Sequence, residues 1–261
     1  MSTKAEVMES MEKTKQGFEE SFLTGTFYNK QTRDEKHLDL ILKALPIKAG
    51  MKVLDLGTGT GYLAFPIAQN YPNTEVTGLD IVENALNENR KRAENDKLSN
   101  LQFVSYNGIV FSFEDEQFDI VITRYALHHF PLIKDTFQEI ERVLKKTGYL
   151  FISDPTPNDD DTEGFVDAYM QMKKDGHIKF YTKSEWMSLA QEVGLKYVDD
   201  FETSIRFPKK RDTALEFDDI MKKYDAKVIE GYDIEVTEDE IYITERVNNI
   251  LFVKGVVAVE N

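Results

Sequence analysis

Two carboxylates bracket a glycine run. Asp55 stands two residues before Gly57-Thr58-Gly59-Thr60-Gly61, where every second residue is glycine, and Asp80 closes the short apolar stretch Glu75-Val76-Thr77-Gly78-Leu79. Residue types at this spacing suit an adenosine-containing ligand. Glycines admit close backbone approach and dihedrals that a Cβ forbids. A helix starting behind them turns its amide groups toward the same spot, and an acid at the tip of a second strand accepts from ribose hydroxyls. Further along, His128 and His129 adjoin in Arg124-Tyr125-Ala126-Leu127-His128-His129-Phe130-Pro131, with Asp154 and His177 downstream. Histidine is the side chain whose unperturbed pKa suits proton transfer near neutrality.

The glycine pattern leaves the identity of the adenosine ligand open. Gly57-x-Gly59 fails the dinucleotide pattern because Tyr62 stands at the third small position, whereas Gly59-x-Gly61-x-x-Ala64 fits it, so a nicotinamide enzyme stays an alternative. Asp55 weighs the other way. A carboxylate beside a pyrophosphate is unfavourable, while a cationic ligand suits an acidic neighbourhood.

The elements that must hold these residues follow from apolar patterning. Short apolar runs at 51–56, 75–79, 101–105, 118–123 and 149–153 read as strands. They alternate with helices over 62–68, 83–97 and 132–146, which implies a parallel sheet covered on both faces. In such sheets ligands gather at the carboxyl ends of strands, and Asp55, Asp80, Asn107, Arg124 and Asp154 all fall at or just beyond such ends. Residues 1–24 read as a charged amphipathic helix ending near Gly25, and 37–45 as an apolar-faced helix closed by Pro46, with His37 an ordinary helix residue. Tyr28 and Arg33, just before that helix, are candidates to face the site. After a polar loop at 155–161 come a helix at 165–174, a capping box Thr182-Lys183-Ser184-Glu185 opening a helix at 186–193, and a strand at 195–207. The stretch 208–247 reads as an extension of the sheet edge, with a helix at 213–224 and a strand at 232–244. A further strand covers 249–259.

Composition narrows the partners. With 261 residues and 41% hydrophobic side chains, a packed core is attainable. A net charge of -15, from 47 acids and 32 bases, argues against nucleic-acid or anionic-membrane partners and for a small-molecule acceptor. The absence of cysteine excludes disulfides, thiolate metal sites and cysteine nucleophiles, and no metal is expected. With no apolar span of transmembrane length and no signal-peptide core at the N-terminus, a cytoplasmic protein is expected, as a monomer or homodimer.

The stretch Asp55-x-Gly57-x-Gly59-x-Gly61 resembles motif I of class I S-adenosylmethionine (SAM) methyltransferases, and the likeness extends over residues 36–200. Residues 124–131, Arg142-Val143-Leu144-Lys145-Lys146-Thr147-Gly148 and Asp175-Gly176-His177-Ile178 look like the small-molecule branch that includes menaquinone and sugar O-methyltransferases. The resemblance implies an α/β, Rossmann-like, seven-stranded and mostly parallel sheet with helices on both faces and an antiparallel last strand. It implies one domain over 1–261, with a helical lid at 1–45, a SAM-binding core at 46–207, and an insert plus the last strand at 208–261. The implied cofactor contacts are Asp55, Gly57, Thr58, Gly59, Gly61, Asp80, Ile81, Asn107, Gly108 and Arg124. Asn107 stands where the family usually carries an acid that accepts from the adenine amino group. By the same resemblance His129 or His128 acts as base toward an oxygen nucleophile with Asp154 as helper, and Tyr28 and His177 face the substrate. A SAM-binding protein without turnover is the remaining alternative.

Overall fold

Apolar runs of five to seven residues are long enough for buried parallel strands and short for helices, and here they form the middle of one sheet. The computed structural model describes residues 4–23, 34–173, 175–211 and 214–255. Strands β1 (Lys52–Leu56), β2 (Glu75–Asp80), β3 (Leu101–Ser105), β4 (Phe118–Arg124) and β5 (Leu144–Thr156) are parallel and are separated by helices α3 (Ala64–Asn70), α4 (Glu83–Asn95) and α5 (Ile133–Val143). Upstream lie α1 (Lys4–Leu23) and α2 (Glu35–Ala44). Downstream come α6 (Phe165–Gln171), α7 (Lys183–Glu192), β6 (Leu195–Lys210), α8 (Ala214–Lys223), α9 (Ala226–Glu230), β7 (Glu235–Val236) and β8 (Glu240–Lys254).

The strand order is β3-β2-β1-β4-β5-β8-β6, and β8 runs antiparallel to both its neighbours. The chain leaves β1 toward β2 on one side and reaches β4 on the other, so β1 and β4 flank the point where the winding reverses. A crevice opens there at the carboxyl ends of the strands. Two apolar cores cover the sheet. One joins Ile41, Phe65, Ile67 and Leu86 to Val53, Ile120 and Ile122, and the other joins Phe137, Ile140, Trp186 and Leu189 to Leu54, Val121, Leu150 and Ile152. Local chemistry fixes the helix starts: Asp34 accepts from the amides of Lys36 and His37, and Thr182 and Glu185 form the expected capping box. No helix among the described residues is long and apolar enough to cross a membrane.

Three expectations change. The sheet has eight strands among the described residues, because the two-residue β7 pairs with β8 alone. The strands expected at 232–244 and 249–259 are one continuous strand, β8, buried at every second position from Ile241 to Val247; residues beyond 255 lie outside the described part. The stretch around 208–247 does more than lengthen an edge. Phe217, Ile229, Ile241 and Ile243 pack with Phe165 and Tyr169 of α6 in a third apolar core.

Asp161 ties that third core together. Its carboxylate accepts from the amides of Phe165 at 2.7 Å and Val166 at 2.9 Å, and from the Tyr232 hydroxyl at 2.7 Å. It thus holds the start of α6 against the segment after α9. Asp161→Ala leaves these donors buried and unmatched and is expected to cost about 2–4 kcal/mol, measured by urea unfolding. A loss within error would show that the third core does not depend on this carboxylate.

Candidate active site

The glycine run turns the chain from β1 into α3, and hydrogen bonds from three directions hold it. Gly57 and Thr58 donate to the Leu79 carbonyl at 2.8 and 3.1 Å, and the Asn89 amide of α4 donates to the Gly59 carbonyl at 2.7 Å. Gly59 itself donates to Asp80 Oδ2 at 2.8 Å, while Val82 donates to Asp80 Oδ1 at 2.9 Å. Both carboxylate oxygens are therefore fixed at the tip of β2 by backbone amides. Gly57, at φ +71°, has no room for a side chain, since a Cβ there would lie 2.5 Å from that of Ala126. Burial pushes the Asp80 carboxyl above its ordinary pKa, against the pull of those amides.

Asp55 sits behind the run. It is buried and accepts from Thr58 Oγ1 at 2.7 Å. Burial pushes its carboxyl up to about 7, and the Thr58 hydrogen bond works in the opposite direction.

In front of the run is a cleft of about 670 Å³, open solvent at its mouth included. Of the residues expected to touch a cofactor, Gly57, Gly59, Asp80, Ile81, Gly108 and Arg124 line it, and so does His129. Thr58 and Asp55 are not among its lining residues and bond to each other, and Gly61 packs against Phe65, whose ring a Cβ would meet at 2.5 Å. Asn107 departs from its expected place. It is exposed, and its Oδ1 accepts from the amides of Ile109 and Val110 at 3.0 and 3.1 Å, so the oxygen serves a local turn while Tyr106 and Gly108 form the lining. Tyr28 and Arg33 lie outside the described residues. Patterning alone did not mark Met11, Thr14 and Phe18, by which α1 contributes to the wall, nor Ala126, Phe130 and Pro131.

The histidines form a buried group at the end of β4. A 3-10 turn, Leu127–His129, places the rings of His128 and His129 with centroids 4.1 Å apart. His128 Nδ1 lies 3.0 Å from each oxygen of Asp154. His177 is 5.4 Å from His128 and 6.2 Å from His129 between ring centroids, and its Nε2 is 2.8 Å from Asp167. Phe18 of α1 meets His129 edge-on at 5.0 Å. The sequence-predicted His128, His129, Asp154 and His177 are thus brought together, with only His129 on the cleft.

The geometry of His128 and Asp154 would suit an ion pair, but burial opposes both charges. It lowers His128 well below its ordinary pKa and raises Asp154 to about 8, so near neutrality the pair shares one proton. Burial, reinforced by His128, takes His129 down to about 3 and keeps it neutral. Its Nδ1 has no hydrogen-bond partner among the described residues. A neutral imidazole can receive a proton at an unengaged nitrogen, and this one is buried on a residue that lines the cleft.

Arg124 is held between two rings, 4.0 Å from the centroid of Tyr62 and 3.9 Å from that of Tyr125. Tyr125 follows it with φ at +54°, in the left-handed region.

Residues 47–194 match the Methyltransferase domain family. YcgJ, an uncharacterized methyltransferase of Bacillus subtilis, is 29% identical over 174 residues, spanning 64% of this chain and 68% of its own length. The demethylmenaquinone methyltransferase of Listeria monocytogenes is 30% identical over 177 residues, spanning 60% of this chain and 75% of its own. The solved structure of YcgJ superposes with a TM-score of 0.74 at 22% identity, covering 86% of this chain and 100% of the other. The [4+2]-cyclase SpnF, at a TM-score of 0.61 and 18% identity, covers 85% of this chain and 81% of its own, and shares the fold alone.

The shared proton of His128 and Asp154 gives a pH dependence with a definite sign. Between about pH 4 and 6.5 the unfolded pair also carries one proton, on histidine. Above 6.5 the unfolded chain has released it, whereas the folded pair keeps it to about 8. Stability therefore falls as pH rises through that window, by up to about 2 kcal/mol. Asp154→Asn keeps an acceptor for Nδ1–H but has no such proton. Urea unfolding at pH 6.5 and 8.0 should show a smaller loss in the variant than in the parent, and equal losses would place the proton elsewhere.

Proposed function

The chain belongs to the methyltransferase-domain family and uses S-adenosylmethionine, and from that premise we propose that it methylates a small-molecule acceptor at an oxygen nucleophile, with His129 as general base. Fold likeness does not carry this reading, since one fold hosts many chemistries. It is carried by a single juxtaposition: the amide-pinned carboxylate of Asp80 and the unengaged Nδ1 of His129 belong to residues that line the same cleft.

The residues present fit the cofactor. Asp80 is a buried acceptor whose ionised form gains from hydroxyl donors, as a ribose diol would supply. Ile81, Val82 and Tyr106 offer an apolar wall to a flat base. Bound there, S-adenosylmethionine supplies a methyl group already activated by a sulfonium. The protein must then align the acceptor and take its proton. His129 receives that proton at Nδ1, and His128, fixed by Asp154, packs against it and limits its movement. Met11, Thr14 and Phe18 of α1 cover the cleft and keep water from the reacting atoms, which is the role expected of the N-terminal lid. His177, anchored by Asp167, packs beside the pair and off the cleft. A small acceptor is supported by the cleft at the strand ends and the acidic chain. The demethylmenaquinone methyltransferases among the relatives make demethylmenaquinone itself a first acceptor to try.

Isothermal titration with S-adenosylhomocysteine and NAD tests the cleft. The homocysteine product should bind and NAD should not, and Asp80→Ala should weaken product binding by about tenfold or more. Undiminished binding by Asp80→Ala would overturn the placement of the ribose. His129→Gln should bind the product as the parent does and transfer labelled methyl to a small-molecule extract about a hundredfold more slowly. Transfer at the parental rate would remove His129 from the chemistry.

A further inference from the structure

His37 reads in the sequence as an ordinary helix residue, yet it is the hub of a buried hydrogen-bond chain that ends at the cleft. The chain begins on the last strand. Asn249 of β8 donates through Nδ2 to Thr203 Oγ1 at 3.0 Å and to the Val247 carbonyl at 3.2 Å, which fixes its amide so that Oδ1 faces His37. His37 Nε2 lies 2.8 Å from that oxygen, so Nε2 carries the proton and Nδ1 presents a lone pair. Two donors converge on Nδ1: Arg124 Nη2 at 3.5 Å and the Tyr125 hydroxyl at 3.4 Å. The hydroxyls of Ser153 and Thr203 flank Nε2 at 3.4 Å each.

Arg124 is thereby constrained on three sides. Tyr62 and Tyr125 hold the guanidinium plane from its faces, and His37 takes one of its edge donors. Tyr62 is itself fixed, since its hydroxyl donates to the Asp34 carbonyl at the start of α2. A guanidinium held flat in a cleft wall is preorganised to meet a carboxylate, and it loses little entropy in doing so. Burial favours neutral His37, and Arg124 acts in the same direction against the opposing charge of Asp34. A charged imidazole would offer Nδ1–H to a cation and break the chain.

Arg124 is a cofactor contact already implied by the family resemblance; the geometry points to His37 as the positioning residue that orients its guanidinium toward the carboxylate at the amino-acid end of S-adenosylmethionine. This rests on the cleft being the cofactor site. It gives β8 and α2 a part in cofactor binding through Arg124.

The test compares two ligands that share the thioadenosine part. S-adenosylhomocysteine carries the amino-acid tail, and 5′-methylthioadenosine lacks it. Both are titrated into the parent, His37→Leu, His37→Asn and Arg124→Lys. His37→Leu and Arg124→Lys should lose about tenfold or more in affinity for S-adenosylhomocysteine and less than about threefold for methylthioadenosine. His37→Asn, whose amide oxygen falls near the position of Nδ1, should recover most of the difference. Equal losses for both ligands, or no loss for S-adenosylhomocysteine, would overturn the positioning role. Failure of both ligands to bind the parent would overturn the cofactor site itself, a distinct result.

Discussion

Two backbone amides meet at one buried carboxylate, and the site is built outward from that meeting. Gly59 and Val82 donate to opposite oxygens of Asp80, joining the loop after β1 to the loop after β2. The constraint acts in both directions. It holds a carboxylate in an environment that resists its charge, and it fixes the glycine loop in the one shape that leaves space before the strand ends. Parallel pairing of β1 with β2 in register Leu56↔Leu79 brings the two loops to the same height. The reversal of winding between β1 and β4 then opens the crevice that they face.

On the other wall the design is different. Burial there suppresses charge. Among the described residues His128, His129, His177, Asp154, Asp167 and Asp175 lie close together at the ends of β4 and β5 and on the segments around α6. Here desolvation holds His128 and His129 neutral and pushes the Asp154 carboxyl up, while, against burial, Lys173 keeps Asp175 below the usual carboxylate range. A histidine that is to accept a proton must itself be uncharged, so the same burial that costs stability suits the chemistry.

Much of this was legible in the sequence because it is local. Asp55, the three glycines and Asp80 lie within a few tens of residues, and strand–turn–helix patterning places them without knowledge of the rest. The capping box at Thr182 and the apolar faces of α5 and α2 were legible for the same reason. What escaped was non-local or was settled by competition. His37 meets Asn249 across 212 positions, and no short window contains both. Asn107 looked like an acceptor for a ligand, but its side chain closes a turn on its own backbone, the habit of that residue type in loops. β8 looked broken because Glu245, Asn248 and Asn249 are polar at buried positions. The wall formed by α1 left only a weakly amphipathic trace, since Met11, Thr14 and Phe18 serve a cleft and not a core.

The most direct measurement is a crystal structure with S-adenosylhomocysteine bound. The expected result has both ribose hydroxyls within about 3 Å of Asp80 and the thioether sulfur directed toward His129. A product bound outside this cleft, or a ribose that leaves Asp80 bonded to Gly59 and Val82 alone, would contradict the assignment.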